Sequence, residues 1–256
     1  MPKLNLSNTE DLTATSFYRI FLYGDNRTGK TTLSSTFPCP LFIVPDLSVN
    51  EMRALKGMGI PVVTFGDIES CKEQTILIAD AIAANRKIGP YVPKTIVIDN
   101  MTSALQQWKD ELRPDSGDRL DWDAWGKIAS TVSSMMAVLH MLNTHTIWIA
   151  HSRINKIKRR GARNKVEEIS VGGYTLDGQA KNILPSHCDL LLYTEATDTI
   201  KGPQFWVYTQ KRDIWPAGVR LGPEQKKLPI KVGPRPHYDD FAPFLDLPLL
   251  EEAEAE

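Results

Sequence analysis

The sequence predicts an α/β fold with a mostly parallel central sheet covered by helices on both faces. Three observations support this fold class. Segments rich in β-branched and aromatic residues alternate with helical segments, as in proteins built from strand–helix–strand units. The segments at 41–44 and 94–99 are continuous apolar or β-branched runs, which are typical of strands buried on both faces. A glycine-containing turn at 24–29 joins the first strand candidate to a helix candidate.

The individual elements follow in chain order. Strands are predicted at 17–23, 41–44, 61–65, 94–99 and 146–150. Helices are predicted at 31–37, 68–86, 102–113 and 123–143, with a polar loop at 114–119. The segments 188–193 and 204–209 flank a turn with Gly202 and Pro203, which predicts an antiparallel hairpin. Trp122 and Trp125 are expected to be core residues, because helical tryptophans usually bury their large area.

One domain is expected to account for most of the chain, because 42% of its 256 residues are hydrophobic, enough for a sizeable core. The boundaries predicted for it are 17–215, after an N-terminal extension at 1–16. Residues 216–256 are rich in proline and glycine and are predicted to be an irregular segment that ends in an acidic tail.

Charge and cysteine content exclude several classes of protein. The formal net charge of -1 gives no general attraction to nucleic acid or to a membrane surface. Cys39, Cys71 and Cys188 lack the C-x-x-C spacing of zinc sites and do not form a disulfide framework, so a reducing cytoplasm is expected. No apolar run reaches the length of a membrane span, and the polar N-terminus does not resemble a signal peptide. We therefore expect a cytoplasmic protein without a membrane partner.

The turn at 24–31 matches the phosphate-binding pattern G-x-x-x-x-G-K-[ST] at every fixed position. Its glycines let the backbone N–H groups point at phosphates, and the start of the following helix adds partial positive charge. Lys30 is expected to contact the β and γ phosphates of a nucleoside triphosphate. The predicted nucleotide-binding residues are Gly24, Asp25, Asn26, Arg27, Thr28, Gly29, Lys30, Thr31 and Thr32.

A metal site is predicted next to this loop. Thr31 would supply one ligand to Mg²⁺, and Asp99, at the end of a buried strand, would be the second contact, through water. The residue after Asp99 is Asn100, where many ATPases place the glutamate that activates water. The general base must therefore come from another segment.

The most asymmetric charge in the chain lies between 153 and 165. This segment contains seven basic residues and no acidic ones: Arg153, Lys156, Lys158, Arg159, Arg160, Arg163 and Lys165. Asn155, Gly161 and Asn164 make it a poor helix, so it is predicted to be a mobile loop at the carboxyl edge of the sheet. Ligands bind at that edge in open α/β sheets, and a basic loop there can hold an anionic polymer.

This order of elements resembles the RecA-like ATPase core. The runs Trp122-Asp123-Ala124-Trp125-Gly126 and Ala150-His151, together with Gly172-Gly173, Pro185 and Asp189, resemble phage-encoded RecA-like nucleotide-binding proteins. Some of these proteins are single-strand annealing recombinases. The resemblance implies ATP and Mg²⁺ as cofactors, DNA-stimulated ATP hydrolysis, and a role in phage-type recombination or replication in the host cytoplasm.

The resemblance also implies roles for particular residues. Asp46 lies where RecA-like proteins have the acid that polarises the attacking water, with Glu51 as the alternative. His151 lies at the position that senses the γ-phosphate, and the seven basic residues correspond to the loop that binds single-stranded DNA. Lys211 and Arg212 would reach the nucleotide of a neighbouring subunit, which implies a homo-oligomer with active sites at its interfaces. A single-strand-binding or replication protein is a further expected partner.

Three other interpretations remain open at this point. Gln210-Lys211-Arg212-Asp213 loosely matches the guanine-reading element of a GTP-binding switch, but no glycine lies three residues after Asp99. A P-loop small-molecule kinase would need a basic lid, for which only 153–165 is available. The third interpretation is an ATP-gated assembly module with slow hydrolysis.

Overall fold

In the part of the chain that the structure describes, ten strands form one sheet, and helices lie on both of its faces. The structure is a computed structural model that describes residues 17–114, 119–160, 166–220 and 227–250, with the backbone alone at 157–160 and 166–167. The strands are β1 (Arg19–Gly24), β2 (Pro40–Pro45), β3 (Val62–Phe65), β4 (Thr95–Ile98), β5 (His145–Arg160), β6 (Val166–Tyr174), β7 (Leu190–Thr199), β8 (Gly202–Tyr208), β9 (Gly218–Val219) and β10 (Lys231–Val232).

The strand order is β10-β8-β7-β1-β5-β4-β2-β3, with β6 paired to β5 and β9 paired to β7. Along this order, each strand from β7 to β3 is parallel to the next one. Strands β8 and β10 extend the sheet beyond β7 in antiparallel orientation. This confirms the predicted mostly parallel sheet with a C-terminal antiparallel hairpin. Because β5 lies between β1 and β4, the ends of these three strands meet at one edge of the sheet.

Buried apolar residues form one cluster on each face of the sheet, because successive side chains of a strand point to opposite faces. In β1, Phe21 and Tyr23 join the cluster on the face covered by most of the helices. Ile20 and Leu22 join the cluster on the other face. Tyr238 also belongs to that second cluster, so the C-terminal segment contributes to the same core as the sheet.

Five α-helices lie in the described residues: α1 (Lys30–Ser34), α2 (Ile68–Ala83), α3 (Met101–Glu111), α4 (Trp122–His140) and α5 (Ala180–Ser186). Short 3-10 helices lie at Asp46–Leu55, Tyr238–Asp240 and Ala242–Phe244. None of the helices in the described ranges is long and apolar enough to span a membrane.

Side-chain caps explain where the longer helices begin. Asp67 and Ser70 form a capping box at the start of α2, and Asp121 accepts a hydrogen bond from the Ala124 N–H at the start of α4. Trp122 is therefore the first residue of α4, and 91% of it is exposed. The prediction of a core position is wrong for Trp122, because the exposed first residue of the helix makes no contact with the core clusters of the described residues. Trp125, one turn later, packs against the core.

The prediction of a mobile loop after His151 is wrong, because the chain from there to Arg160 is a paired strand. Strand β5 continues without interruption to Arg160 and pairs with β6 in an antiparallel hairpin, from Ser152 opposite Tyr174 to Arg160 opposite Val166. The segment is not a helix, as predicted, but the sequence did not reveal the strand that pairs with it. That partner is the β-rich segment 166–174, which supplies the hydrogen bonds that an extended chain needs.

Candidate active site

The phosphate-loop pattern forms the turn between β1 and α1 at the carboxyl edge of the sheet. Arg27 and Gly29 both have positive φ, at 63° and 82°, so the loop reverses direction within a few residues. At Gly24 an added Cβ would overlap Thr194 of the neighbouring strand β7. Backbone conformation therefore favours glycine at position 29, and close approach to the next strand requires it at position 24.

The side chain of Lys30 packs inside this loop, and only 6% of the residue is exposed. Its Nζ donates hydrogen bonds to the carbonyl oxygens of Gly24, at 3.0 Å, and Asp25, at 2.6 Å. Burial lowers the pKa of Lys30 to about 8, and the nearby Asp99 carboxylate opposes that shift. At neutral pH the loop therefore holds a cation at its centre.

Thr31 and Asp99 form a buried hydroxyl–carboxylate pair beside this cation. The Thr31 Oγ1 donates a hydrogen bond of 2.6 Å to Asp99 Oδ2. Burial raises the pKa of Asp99 to about 6, although the Thr31 hydrogen bond and the Lys30 charge both lower it. The strand order explains the contact, since β4 ends at the same edge of the sheet as β1.

A cavity of about 560 Å³ opens in front of the loop, a volume suited to a nucleotide-sized ligand. The loop residues 26–32 and Asp99 line one side, and Glu51 and His151 also line it. Glu51 lies in the 3-10 helix after β2 and accepts a 3.2 Å hydrogen bond from Asn100 Nδ2. The sequence offered Glu51 only as the alternative to Asp46.

His151 lies directly beside the phosphate loop, because the register of β1 and β5 pairs it with Gly24. Its backbone N–H donates to Thr102 Oγ1 at 3.0 Å. Burial lowers its pKa to about 4, and the Lys30 charge lowers it further, so the imidazole is neutral at physiological pH. Its Nδ1 is buried and has no hydrogen-bond partner among the described residues.

Three other candidate catalytic residues lie outside this cavity. Asp46 begins the 3-10 helix that carries Glu51, and its carboxylate lies near Gly66. Lys211 and Arg212 follow β8, where Arg212 pairs with Asp213 at 3.2 Å and lies over the Tyr208 ring. The guanine-reading candidate at 210–213 therefore does not line the cavity of its own chain.

The seven basic residues are distributed along the β5–β6 hairpin and its connection. Arg153 pairs with Asp177 at 3.3 Å, and Lys156 pairs with Glu168 at 3.0 Å. The strand register also sets Glu168 opposite Lys158 and Glu167 opposite Arg159. The hairpin is therefore less basic than the segment 153–165 alone. Arg160 ends β5, and Arg163 and Lys165 lie outside the described residues.

The residues of the cavity fit a nucleoside triphosphate with Mg²⁺. The loop supplies a buried cation for phosphate oxygens, and Thr31 and Asp99 supply the hard oxygen ligands that Mg²⁺ prefers. No cluster of three or more histidine, cysteine or carboxylate side chains suited to a metal lies in the described residues.

Comparisons with known proteins identify the family of the chain. A family model named AAA_24, described as an AAA domain, matches residues 16–221. No curated protein sequence is significantly similar to the chain. Among solved structures, a KaiC-like protein from the archaeon Pyrococcus horikoshii matches 86% of this chain and 87% of its own, with 15% identity and a TM-score of 0.44. Since the family match covers most of the chain, including the phosphate loop, the chain belongs to the AAA domain family.

Proposed function

We propose that the chain hydrolyses ATP with Mg²⁺ and couples this reaction to binding of single-stranded DNA. The observation that carries the ATPase part is the arrangement of Lys30, the Thr31–Asp99 pair and Glu51 around one cavity. A cation for the phosphates, a hard-oxygen pair for the metal and a carboxylate for the water are the groups that phosphoryl transfer to water needs.

Within this proposal, Lys30 and the loop N–H groups hold the β and γ phosphates in line for attack. Bound Mg²⁺ would neutralise charge that develops on the phosphate oxygens. Glu51 orients the attacking water and takes its proton, a role that the sequence suggested first for Asp46. Asn100 fixes the position of Glu51 by its hydrogen bond. The neutral His151 provides a hydrogen-bonding group at the end of the loop, near the expected position of the γ-phosphate.

The β5–β6 hairpin supports the DNA part of the proposal. The strand that carries His151 into the nucleotide cavity continues into the hairpin, so the two ligand sites share one element. Five of the seven basic residues, from Arg153 to Arg160, lie on that strand. Phosphate contacts by such side chains give affinity with little sequence preference. We place this activity in phage-type recombination or replication, as the RecA-like resemblance implies.

Lys211 and Arg212 are proposed to complete the active site of a neighbouring subunit. Both residues are exposed and lie outside the cavity of their own chain, which is the placement that an action in trans requires. Cations supplied across an interface would stabilise charge on the transferring phosphoryl group. The assembly in question is a homo-oligomer of this chain.

Phosphate release, measured with ATP and with GTP, in the presence and absence of single-stranded DNA, tests the proposed function. We expect turnover of ATP that rises when DNA is added. Exclusive turnover of GTP would select a switch protein, and slow ATP turnover that ignores DNA would select an assembly module. Either result would overturn the proposal.

The salt dependence of DNA binding tests the hairpin separately. If about five of the cations contact phosphates, log affinity should fall against log salt with a slope of roughly −3.5, at about −0.7 per contact. Replacing Lys158, Arg159 and Arg160 together by alanine should flatten the slope by about 2 and abolish DNA stimulation. Binding of ATP should be retained. An unchanged affinity and slope in this variant would remove the hairpin from the DNA interface.

A further inference from the structure

A second cavity, of about 460 Å³, lies at the root of the β5–β6 hairpin. The basic side chains of Arg153, Lys156 and Lys181 line it together with the amide side chains of Asn155 and Asn182. The backbone of Gly172 and Gly173 forms part of the wall. Lys181 and Asn182 come from α5, so two separate elements converge on this cleft. We call it the hairpin-root cleft.

The two adjacent glycines of this cleft have different structural explanations. At Gly172, an added Cβ would lie 2.5 Å from the Trp215 ring, so packing excludes any side chain. At Gly173, the nearest atom to an added Cβ would be Asn155 Nδ2, at an ordinary contact distance of 3.6 Å. The register is regular on both sides of Gly173, so no bulge requires a glycine there.

A glycine inside a strand weakens the strand, and one place where strands use glycine is where a ligand or another backbone approaches closely. Gly173 meets this description, because it borders the cleft and its backbone is not covered by a side chain of its own. The bare backbone faces the same cavity as three cations. The chemistry of the cleft is therefore that of a site for a phosphate-bearing chain that passes close to the strand.

The cations of the cleft differ in how they are neutralised. Lys156 pairs with Glu168, but both side chains are mostly exposed, so this pair holds the lysine only weakly. Asp177 is shared between Arg153 and Lys109. Lys181 makes no ion pair with any residue in the described ranges and lies exposed at the cleft. Positive charge thus remains available at the cleft for an anionic ligand.

We propose that the hairpin-root cleft binds the sugar–phosphate backbone of single-stranded DNA, with the strand passing over Gly173 and a phosphate contacting Lys181. This inference rests on the DNA part of the proposed function and adds a specific path for the strand. Asn155 and Asn182 would hydrogen-bond to sugar or base edges. Lys181 and Asn182 lie outside the basic segment 153–165 that the sequence singled out, whereas Asn155 lies within it.

Graded substitution of Gly173 tests the path of the strand. Gly173→Ala and Gly173→Val should weaken binding of a labelled oligodeoxythymidylate progressively, by about tenfold for valine, because a side chain at this position would hold the DNA away from the backbone. The melting temperature should not fall, because both residues fit a strand better than glycine. Gly218→Ala is the matched control, since it is a strand glycine that also has open space but lies outside the cleft. It should leave binding unchanged.

Lys181→Ala keeps the test decisive if the Gly173 variants fail to fold. Lys181 has no described ion pair to lose, so the variant should fold normally, retain ATP binding, and reduce the salt slope of DNA binding by about 0.7. Parent-like DNA binding by Lys181→Ala and by folded Gly173→Val would overturn the cleft and leave the proposed function intact. A parent protein that binds no single-stranded DNA would overturn both. Displacement of the oligonucleotide by inorganic phosphate alone at equal phosphate concentration would identify a small-anion site and overturn the strand path.

Discussion

Replacing Asn100 should slow ATP hydrolysis without removing the nucleotide site. Its side chain has two partners: Oδ1 accepts the Ser103 N–H at 2.8 Å and caps α3, and Nδ2 donates to Glu51 at 3.2 Å. Asn100→Ser keeps a good capping residue, but the serine side chain is too short to reach Glu51. A hydrogen bond to a partly exposed carboxylate contributes about 1 kcal/mol, so kcat should fall about fivefold.

Asn100→Asp separates positioning from a general structural effect. Aspartate also caps the helix, but its carboxylate would face Glu51 at a distance where like charges repel by up to about 4 kcal/mol before screening by solvent. Repulsion raises the pKa of the carboxylate pair, so the acidic limb of the kcat profile should move to higher pH. The displacement of this limb between the variants is the informative quantity.

The assay is steady-state phosphate release at saturating ATP and Mg²⁺ across the acidic and neutral pH range, with melting temperature as the measure of folding. Glu51→Gln is the reference variant, and its loss of activity sets the maximum effect of removing the base. The reasoning is refuted if Asn100→Ser and Asn100→Asp both keep the parent kcat and acidic limb. Parent-like turnover by Glu51→Gln would refute the assignment of the base itself.

The remaining predictions concern the phosphate site, the assembly and acid stability. Lys30→Ala should abolish hydrolysis and strongly weaken triphosphate binding, measured with a fluorescent ATP analogue; parent-like turnover would contradict the site. Mixing Lys30→Ala protein with a Lys211→Ala/Arg212→Ala variant should restore part of the activity, and a monomer whose specific activity is independent of concentration would exclude action in trans. Burial lowers the pKa of His145 from 6.5 to about 4, so the folded state binds fewer protons than the unfolded chain in that window and stability should fall as pH falls from 6.5 to 4. In the His145→Gln variant, the free energy of unfolding measured by urea titration should decrease less steeply as pH falls. An equal dependence on pH in the variant and the parent would contradict this prediction.

The sequence was sufficient for the parts of the fold that depend on local patterns. The β2 and β4 strands were predictable because their residues are apolar or β-branched throughout, as is typical of strands buried on two faces. The phosphate loop was recognisable from its own fixed pattern of residues at 24–31. Asp99 was recognisable because it lies directly after a buried strand, so its place at the carboxyl edge of the sheet follows from the strand itself.

The features that could not be predicted depend on partners distant in sequence or on the exact path of a turn. Strand β5 beyond His151 exists because a downstream segment pairs with it, and its own polar sequence gave no sign of that partner. Which of Asp46 and Glu51 lines the cavity depends on the 3-10 helix after β2. That helix begins at Asp46, near Gly66, and brings Glu51 to the cavity. Spacing from the strand end alone does not show this difference in position.

The unbroken course of β5 determines how its two ends can influence each other. From Ser152 to Arg160 the strand extends about 26 Å beyond the sheet, at about 3.3 Å per residue. This distance is several times the Debye length of about 8 Å at physiological ionic strength, so charges at the far end of the hairpin are screened from nucleotide phosphates. Any communication between that end and the nucleotide must therefore be mechanical. A paired strand without a hinge can tilt as one body, and a small displacement at His151 would be magnified along its length.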